Sequence, residues 1–552
     1  MLFFLTSLIT ITGFMFLLKY HISHIQIIFS FVVSCICLFV ITKKEKVIYR
    51  VLPVLLFLIF ISVVIPINAN YIDVSWDGNS YHKDAIGALK NGWNPVYEDY
   101  LDFYKKADYR DNKIIGKELV GCHGFWQTYY AKGAWYVNAN FYYLLDNIES
   151  SKMFNPMILY ITLIISINFI SIITKRKSLS ILIGLLFAFS PTVIPQLFTN
   201  YNDGALYCTL LCLLMELVLF VFKKTNNSLF NIFCLIIICS NIKFTGLGYE
   251  VIMGLGVYFV YLWFNRKNLK KIIKPTIVFV SAILFSILVV GYQPYVTNTL
   301  SKGHPLYPLA GSHKVDIVSK NQPSSFTNKN TITKFYYSIF SRTGNISLVS
   351  GSDVPLKLPF LVYYEELISL NRSDIRTAGF GVYFSGIFII SIIILIYIGI
   401  IKYKTSRNKL TFWVPVVIIF TSLLLVLIIS ESWWARYTPF VYFIPLICLT
   451  ILAASNKKMH KTLLTILMVI MYANLSFYIN NNIIYNYREA ENFRYYLYSF
   501  SNTPKTMHLS GKDEFLGLLY TLDDYNIKYD FKPTPKDKQS EKLFKFMEFW
   551  SD

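Results

Sequence analysis

The sequence predicts an all-α polytopic membrane protein with about 13 transmembrane helices, and three observations lead there. Of its 552 residues, 55% are hydrophobic and 17% aromatic, while 15% are charged; soluble domains carry more charge than this. Apolar runs recur from one end to the other, each long enough to cross roughly 30 Å of hydrocarbon. Basic residues collect in the short connectors between those runs, as in TKKEKVIYR (42–50), NRKNLKKIIK (265–274) and KYKTSRNK (402–409). Cytoplasmic loops gather Lys and Arg in this way.

The expected spans are 3–18, 25–41, 51–67, 155–173, 179–197, 204–222, 229–242, 247–264, 275–292, 382–401, 411–429, 437–454 and 462–479. Placing every basic connector in the cytoplasm puts the N-terminus inside and the C-terminus outside. The expected location is a cytoplasmic (inner) membrane, crossed many times, with its chemistry on the outer face. The N-terminus lacks a charged leader and an A-x-A site, so a retained first helix is expected. The net charge of +20 is accounted for by these connectors and by an anionic inner leaflet, which argues against a nucleic-acid partner. Seven cysteines lie in apolar runs and Cys122 in a polar loop, with no CxxC metal site.

Three regions follow. Residues 1–50 hold two extra N-terminal helices. Residues 51–480 form the transmembrane core, with large outer loops at 68–154 and 294–380. Residues 481–552 are a small outer appendage of mixed charge that suits an α/β fold. In the first outer loop, 80–91 reads as a short amphipathic helix lying in the membrane interface, with Ser80 at its start and Gly92 and Pro95 beyond its end. A second helix is expected within KGAWYVNANFYYLLDNI (132–148).

The candidate chemistry is dispersed in sequence and gathered by topology. Asp77 lies just beyond the third span, beside Trp76 and ahead of Tyr81 and His82. Asp203 opens the sixth span, and Lys243 closes the seventh. His304 stands in GHPLYP, and Arg436 and Tyr437 open the twelfth span. All fall at one membrane face. Alone, each has a plain structural reading: a helix cap, a snorkelling cation or a turn residue. Together they suit an anionic, lipid-borne substrate, with Asp77 as general base and the two cations neutralising a phosphate. A divalent cation held by Asp77, Asp203 and a histidine is a further option, without diagnostic ligand spacing. Glu216 lies too deep to share this chemistry.

The run WDGNSYHKDAIGALKNGWNP (76–95) resembles the first outer loop of the GT-C superfamily of integral-membrane glycosyltransferases, where WD…YH…G-x-x-P follows a transmembrane helix. FTNYNDGALY, IKFTG, GHPLYP, GFGVYF and ARYTPF follow in the same order, so the resemblance spans roughly 50–455. It implies a polyprenyl-phosphate-linked sugar donor and hexosyl or pentosyl transfer, usually with inversion. The acceptor would be a glycan, lipid or protein of the cell envelope. It also implies Asp77 as catalytic base, Asp203 as a second acid serving acceptor or metal, and Lys243 and Arg436 on the donor phosphate. His82 joins the catalytic candidates. His304, Tyr437, Trp76 and Tyr81 join those for substrate. This chain departs from the pattern in having two spans before the loop and Gly78, not a second acid, after Asp77. A surface-polysaccharide polymerase or ligase is the alternative, with a lipid-linked sugar flippase behind it.

Overall fold

The computed structural model describes residues 1–106, 123–315, 321–345, 353–405, 409–510, 515–544 and 547–551; Cys122 lies outside them. Among the described residues, nine helices are long and apolar enough to cross a membrane: His24–Ile41, Val47–Asn70, Phe154–Thr174, Asp203–Lys223, Phe244–Asn265, Leu269–Val290, Phe384–Lys404, Leu410–Ile428 and the run Lys458–Ser501. The other four expected spans coincide with shorter apolar helices, Leu2–Leu17, Lys177–Ala188, Asn226–Ile242 and Pro439–Ala453. These four fall short of the length that a full crossing requires, so length alone does not count them as spans.

The Asp203–Lys223 helix is the axis of the bundle: 89% of its apolar window is buried, against 11% for Val47–Asn70. It packs on Phe154–Thr174, Asn226–Ile242 and Phe244–Asn265, so its apolar side chains meet protein where those of Val47–Asn70 meet lipid. The intramembrane acid Glu216 is satisfied there, accepting from Asn231 Nδ2 at 2.9 Å.

Two departures from the expected elements shape the outer face. The last span does not stop at 479. It passes through a π-turn at Ile479–Ile483 into Ile484–Ser501, so the unbroken 44-residue run is ~66 Å long at 1.5 Å per residue. That is about twice the hydrocarbon thickness, and its second half stands clear of the bilayer, as its polar, aromatic sequence requires. The helix expected at 80–91 forms as a π-turn, Gly78–His82, leading into Lys83–Lys90. It is enclosed by protein: Ala85, Ile86 and Leu89 are fully buried.

What encloses it is the tail. Strands β1 (Met507–Ser510), β2 (Tyr529–Phe531), β3 (Glu541–Phe544) and β4 (Met547–Ser551) form one sheet in the order β2-β1-β4-β3. β1 and β2 are parallel, joined through the helix Leu516–Asp524, and the other pairs are antiparallel. Parallel neighbours need such a crossover. This helix lies on the Gly78–Lys90 segment, where Gly517 allows close approach: a Cβ there would stand 2.6 Å from the carbonyl oxygen of Asn79.

A buried ionic cluster ties the pieces. Glu149 Oε1 accepts from Lys83 Nζ and, at 3.0 Å, from Thr521 Oγ1 of the tail helix. Its Oε2 accepts from Lys152 Nζ at 2.5 Å and from the Asp73 amide at 2.9 Å. Burial alone would raise the Glu149 pKa, but the two ammonium groups outweigh it and hold the carboxyl down at about 2.

Candidate active site

Asp73 is where the site is assembled. Its Oδ1 takes the Ser75 amide at 2.9 Å and its Oδ2 the Asn200 amide at 2.7 Å, so one fully buried carboxylate pins the stretch before Asp77 to the stretch before Asp203. Gly78 follows Asp77 for a steric reason: a Cβ there would collide with Asp73 Oδ2 and Ser75 Oγ. Asn155 Nδ2 clamps the carbonyl groups of Gln196, Thr199 and Tyr201 within 2.7–2.9 Å, which sets the start of the Asp203–Lys223 helix. Asn202 Nδ2 in turn reaches the Ile242 carbonyl at 3.3 Å. Lys243 is the single extended residue (φ −153°, ψ 154°) between the helices ending at Ile242 and beginning at Phe244. That tight turn points its ammonium at Asp203, with which it forms a buried ion pair.

Arg436 comes from the far side, in the 3-10 turn Ala435–Tyr437. Its Nη1 donates to Asp77 Oδ2 at 3.0 Å and lies 3.8 Å from Asp374 Oδ2 and 4.0 Å from Asp203 Oδ2. Its Nη2 donates to the Tyr437 hydroxyl at 3.1 Å. The guanidinium stacks over Trp434 at 4.3 Å, a contact worth most where water is scarce. Burial works against its charge, yet Tyr437 and the three carboxylates more than compensate and raise its pKa well above the ordinary value. Tyr81 donates to Asp77 Oδ2 at 3.3 Å, and the Asp77 amide donates to the Tyr201 hydroxyl at 3.3 Å.

These groups border a cavity of about 290 Å³ lined by Trp76, Asp77, Tyr201, Arg372, Asp374, Arg376, Trp434, Arg436 and Glu489 among others. Its chemistry is three carboxyl groups, Asp77, Asp374 and Glu489, and three guanidinium groups around a polar space, with the Trp76 ring packed on Phe515 of the tail at one edge. A phosphate could be neutralised here, beside a carboxylate able to accept a proton.

The candidates from sequence distribute unevenly. Asp77, Trp76 and Arg436 face the cavity; Asp203, Lys243, Tyr81 and Tyr437 stand directly behind them. His82 is buried and does not line the cavity; its Nδ1 accepts from Trp135 Nε1 at 2.7 Å. Burial, helped by the Lys243 and Arg436 charges, pushes its pKa down to about 3, so it stands neutral near pH 7. His304 does not join the group. Its Nδ1 accepts from the Leu306 amide at 3.1 Å, closing its own turn, and it is not part of the cavity wall. Among the described residues no three His, Cys, Asp or Glu side chains converge to hold a metal ion. Arg436 stands between Asp77 and Asp203, 3.0 Å from the first and 4.0 Å from the second.

Asp374, Arg372 and Arg376 are the residues that sequence reasoning missed. The signal was present in NRSDIRTAGF (371–380), three charges in five residues just before an apolar span, but no spacing tied them to Asp77. Burial and the neighbouring Asp77 push the Asp374 pKa up, against the pull of Arg436.

No protein-family model matches the sequence, and no curated protein does. Two chains among the solved structures match. One is the crystal structure of ArnT from Cupriavidus metallidurans bound to undecaprenyl phosphate, aligned over 88% of this chain and 87% of its own, at 12% identity and a TM-score of 0.38. The class defined by the helices and the site is a polytopic α-helical membrane protein with a polar, arginine-lined cavity at the end opposite its basic connectors.

Proposed function

We propose that this chain is a membrane glycosyltransferase of the GT-C kind. It moves a sugar from a polyprenyl-phosphate carrier to a glycan, lipid or protein acceptor at the outer face of the membrane. In the reaction, an acceptor hydroxyl oxygen bonds to the anomeric carbon while the bond from that carbon to the phosphate oxygen breaks. The bonding pair leaves with the phosphate, and Asp77 takes the hydroxyl proton. Attack opposite the leaving group inverts the anomeric centre. Arg436, aided by Arg372 and Arg376, neutralises the charge that grows on the phosphate, and the Lys243–Asp203 ion pair stands beside it. Trp76 offers a ring face to the sugar.

The observation that carries this reading is convergence: Asp77 and Arg436, 359 residues apart, meet at 3.0 Å at the edge of one cavity. The motif order described above supplies the sugar chemistry. The test is mass spectrometry of surface glycans from cells carrying wild-type or Asp77→Ala protein. Loss of one defined sugar supports the reading, and an unchanged glycan profile with normal protein levels overturns it.

One observation favours the polymerase or ligase reading: three arginines line the cavity, and such enzymes lean on arginine more than on a carboxylate. Asp77→Asn separates the two, abolishing transfer in the first and sparing it in the second.

A further inference from the structure

A feature with no role in the proposed site lies at the opposite end of the bundle. A groove of about 310 Å³ runs between the helices Phe154–Thr174, Asp203–Lys223, Leu410–Ile428 and Phe443–Ala453. Its walls are almost wholly apolar, represented by Phe187, Leu211, Val218 and Phe443, and its two charged residues are Lys223 and Lys402. Both lysines end their helices on the basic side of the protein. With Lys223 and Lys402 at one end and only apolar side chains such as Phe187 and Leu211 at the other, the mouth of the groove is cationic while its far end is hydrocarbon.

The dimensions identify an occupant. Along the Asp203–Lys223 helix the lining runs from Leu211 to Lys223, twelve steps or ~18 Å at 1.5 Å per residue. One leaflet is about half of a 30 Å core, so the groove is one acyl chain deep, with cations at headgroup level. Basic pockets between transmembrane helices on the cytoplasmic side take anionic lipid headgroups, and a mostly apolar slot with a few placed polar groups is the usual form of a ligand site.

We propose that this groove binds one anionic glycerophospholipid from the leaflet on the basic face, its chain along Leu211–Val218 and its phosphate between Lys223 and Lys402. The lipid-carrier tail is a poorer occupant. In the proposed reaction its phosphate sits at Arg436, on the other face, whereas the groove has its cations at the wrong end for that. The groove stands apart from the transfer chemistry, and only the exclusion of the carrier tail rests on that reading. The bound lipid would brace the central helix against its neighbours from below.

The test uses the purified full-length chain in native mass spectrometry, with dioleoylphosphatidylglycerol, dioleoylphosphatidylcholine and undecaprenyl phosphate as probes. The phosphatidylglycerol adduct is expected to exceed the phosphatidylcholine adduct by roughly thirtyfold, the order that two lysines at a headgroup supply. The Lys223→Gln/Lys402→Gln double variant should bring it down to the phosphatidylcholine level, and Thr450→Trp, which fills the groove, should remove both. Equal retention of the two glycerolipids, an unchanged adduct in the double variant, or preferential retention of undecaprenyl phosphate overturns the proposal. Should a variant fail to fold, wild-type protein in vesicles containing a diazirine-acyl phosphatidylglycerol gives the answer. Crosslinks on Leu211–Phe222 or Val414–Ile418 peptides support the site, and crosslinks confined to other helices overturn it.

Discussion

Glu149→Gln is the sharpest perturbation of the framework behind the site. The carboxylate is almost completely buried and shared by Lys83 and Lys152, themselves nearly inaccessible, with Thr521 and the Asp73 amide as further donors. Removing one member of a buried ion pair costs about 3–5 kcal/mol, because the remaining charge is left uncompensated. Here two ammonium groups lose their partner, so the upper part of that range applies. At about 2 °C per kcal/mol for a large domain, thermal unfolding should fall by roughly 8–10 °C. The assay is a fluorescence melt of purified protein in detergent at pH 7, with limited proteolysis of the tail as a second readout. Asp146→Asn is the control, since its pair with Lys90 leaves the acid 85% exposed and such pairs contribute about 0–1 kcal/mol. The Glu149 carboxyl sits at about 2 in the folded state against an ordinary 4.5. Its contribution is therefore full above pH 4.5 and lost as pH falls toward 2. The variant should flatten that acid limb. A melt for Glu149→Gln within about 2 °C of wild type, or no lower than for Asp146→Asn, would refute the reasoning.

The remaining expectations concern the tail and the site. Asp524, which holds Tyr142 and the Ile148 amide at 2.7 Å, is pushed up to about 7 by burial. A raised carboxyl favours the folded state at low pH, and this contribution declines as pH rises from about 4 through 7. Proteolysis of the tail should accelerate over that window, and Asp524→Asn should remove the slope. Gly517→Ala forces a Cβ against the Asn79 backbone, and overpacking of this kind costs about 1–3 kcal/mol; the melt should drop while expression persists. Arg436→Lys keeps a charge but loses the fork that reaches Asp77 and Tyr437 together. Donor turnover should fall at least ~100-fold, the scale of losing one oriented charge stabiliser, and a change under threefold in reconstituted vesicles counts against it.

The transmembrane organisation was legible because length and apolarity are local properties, written into each run. The same holds for Gly133–Leu145, found within the segment read as helical, and for the α/β character of the tail. The continuation of the last helix to Ser501 was not read from the sequence: its stripe of Ala490, Phe493, Leu497 and Phe500 has helical spacing but is obscured by the tyrosines around it, and it packs on β3 of the tail. The 80–91 helix was legible as a helix but not in its setting. Its amphipathic pattern fits a membrane surface as well as it fits the tail helix that covers it. Nothing in the sequence marks Lys83 and Glu149 as partners, because pairing across 66 residues leaves no spacing to find. Asp374 escaped for the same reason. His82 shows the converse limit: a histidine five residues after Asp77 looks reactive in sequence, whereas burial keeps it neutral and its hydrogen-bond partner Trp135 is 53 residues away.

The most direct measurement of the central claim is steady-state transfer by purified, reconstituted Asp77→Asn protein, using a polyprenyl-phosphate sugar from the host membrane as donor. The side chain keeps its size and loses only its capacity to take a proton. Turnover should fall by ~100- to 10,000-fold, the range for removing a general base, while the donor concentration at half-maximal rate changes little. Turnover within twofold of wild type would show that the carboxylate beside Arg436 is not where the acceptor loses its proton.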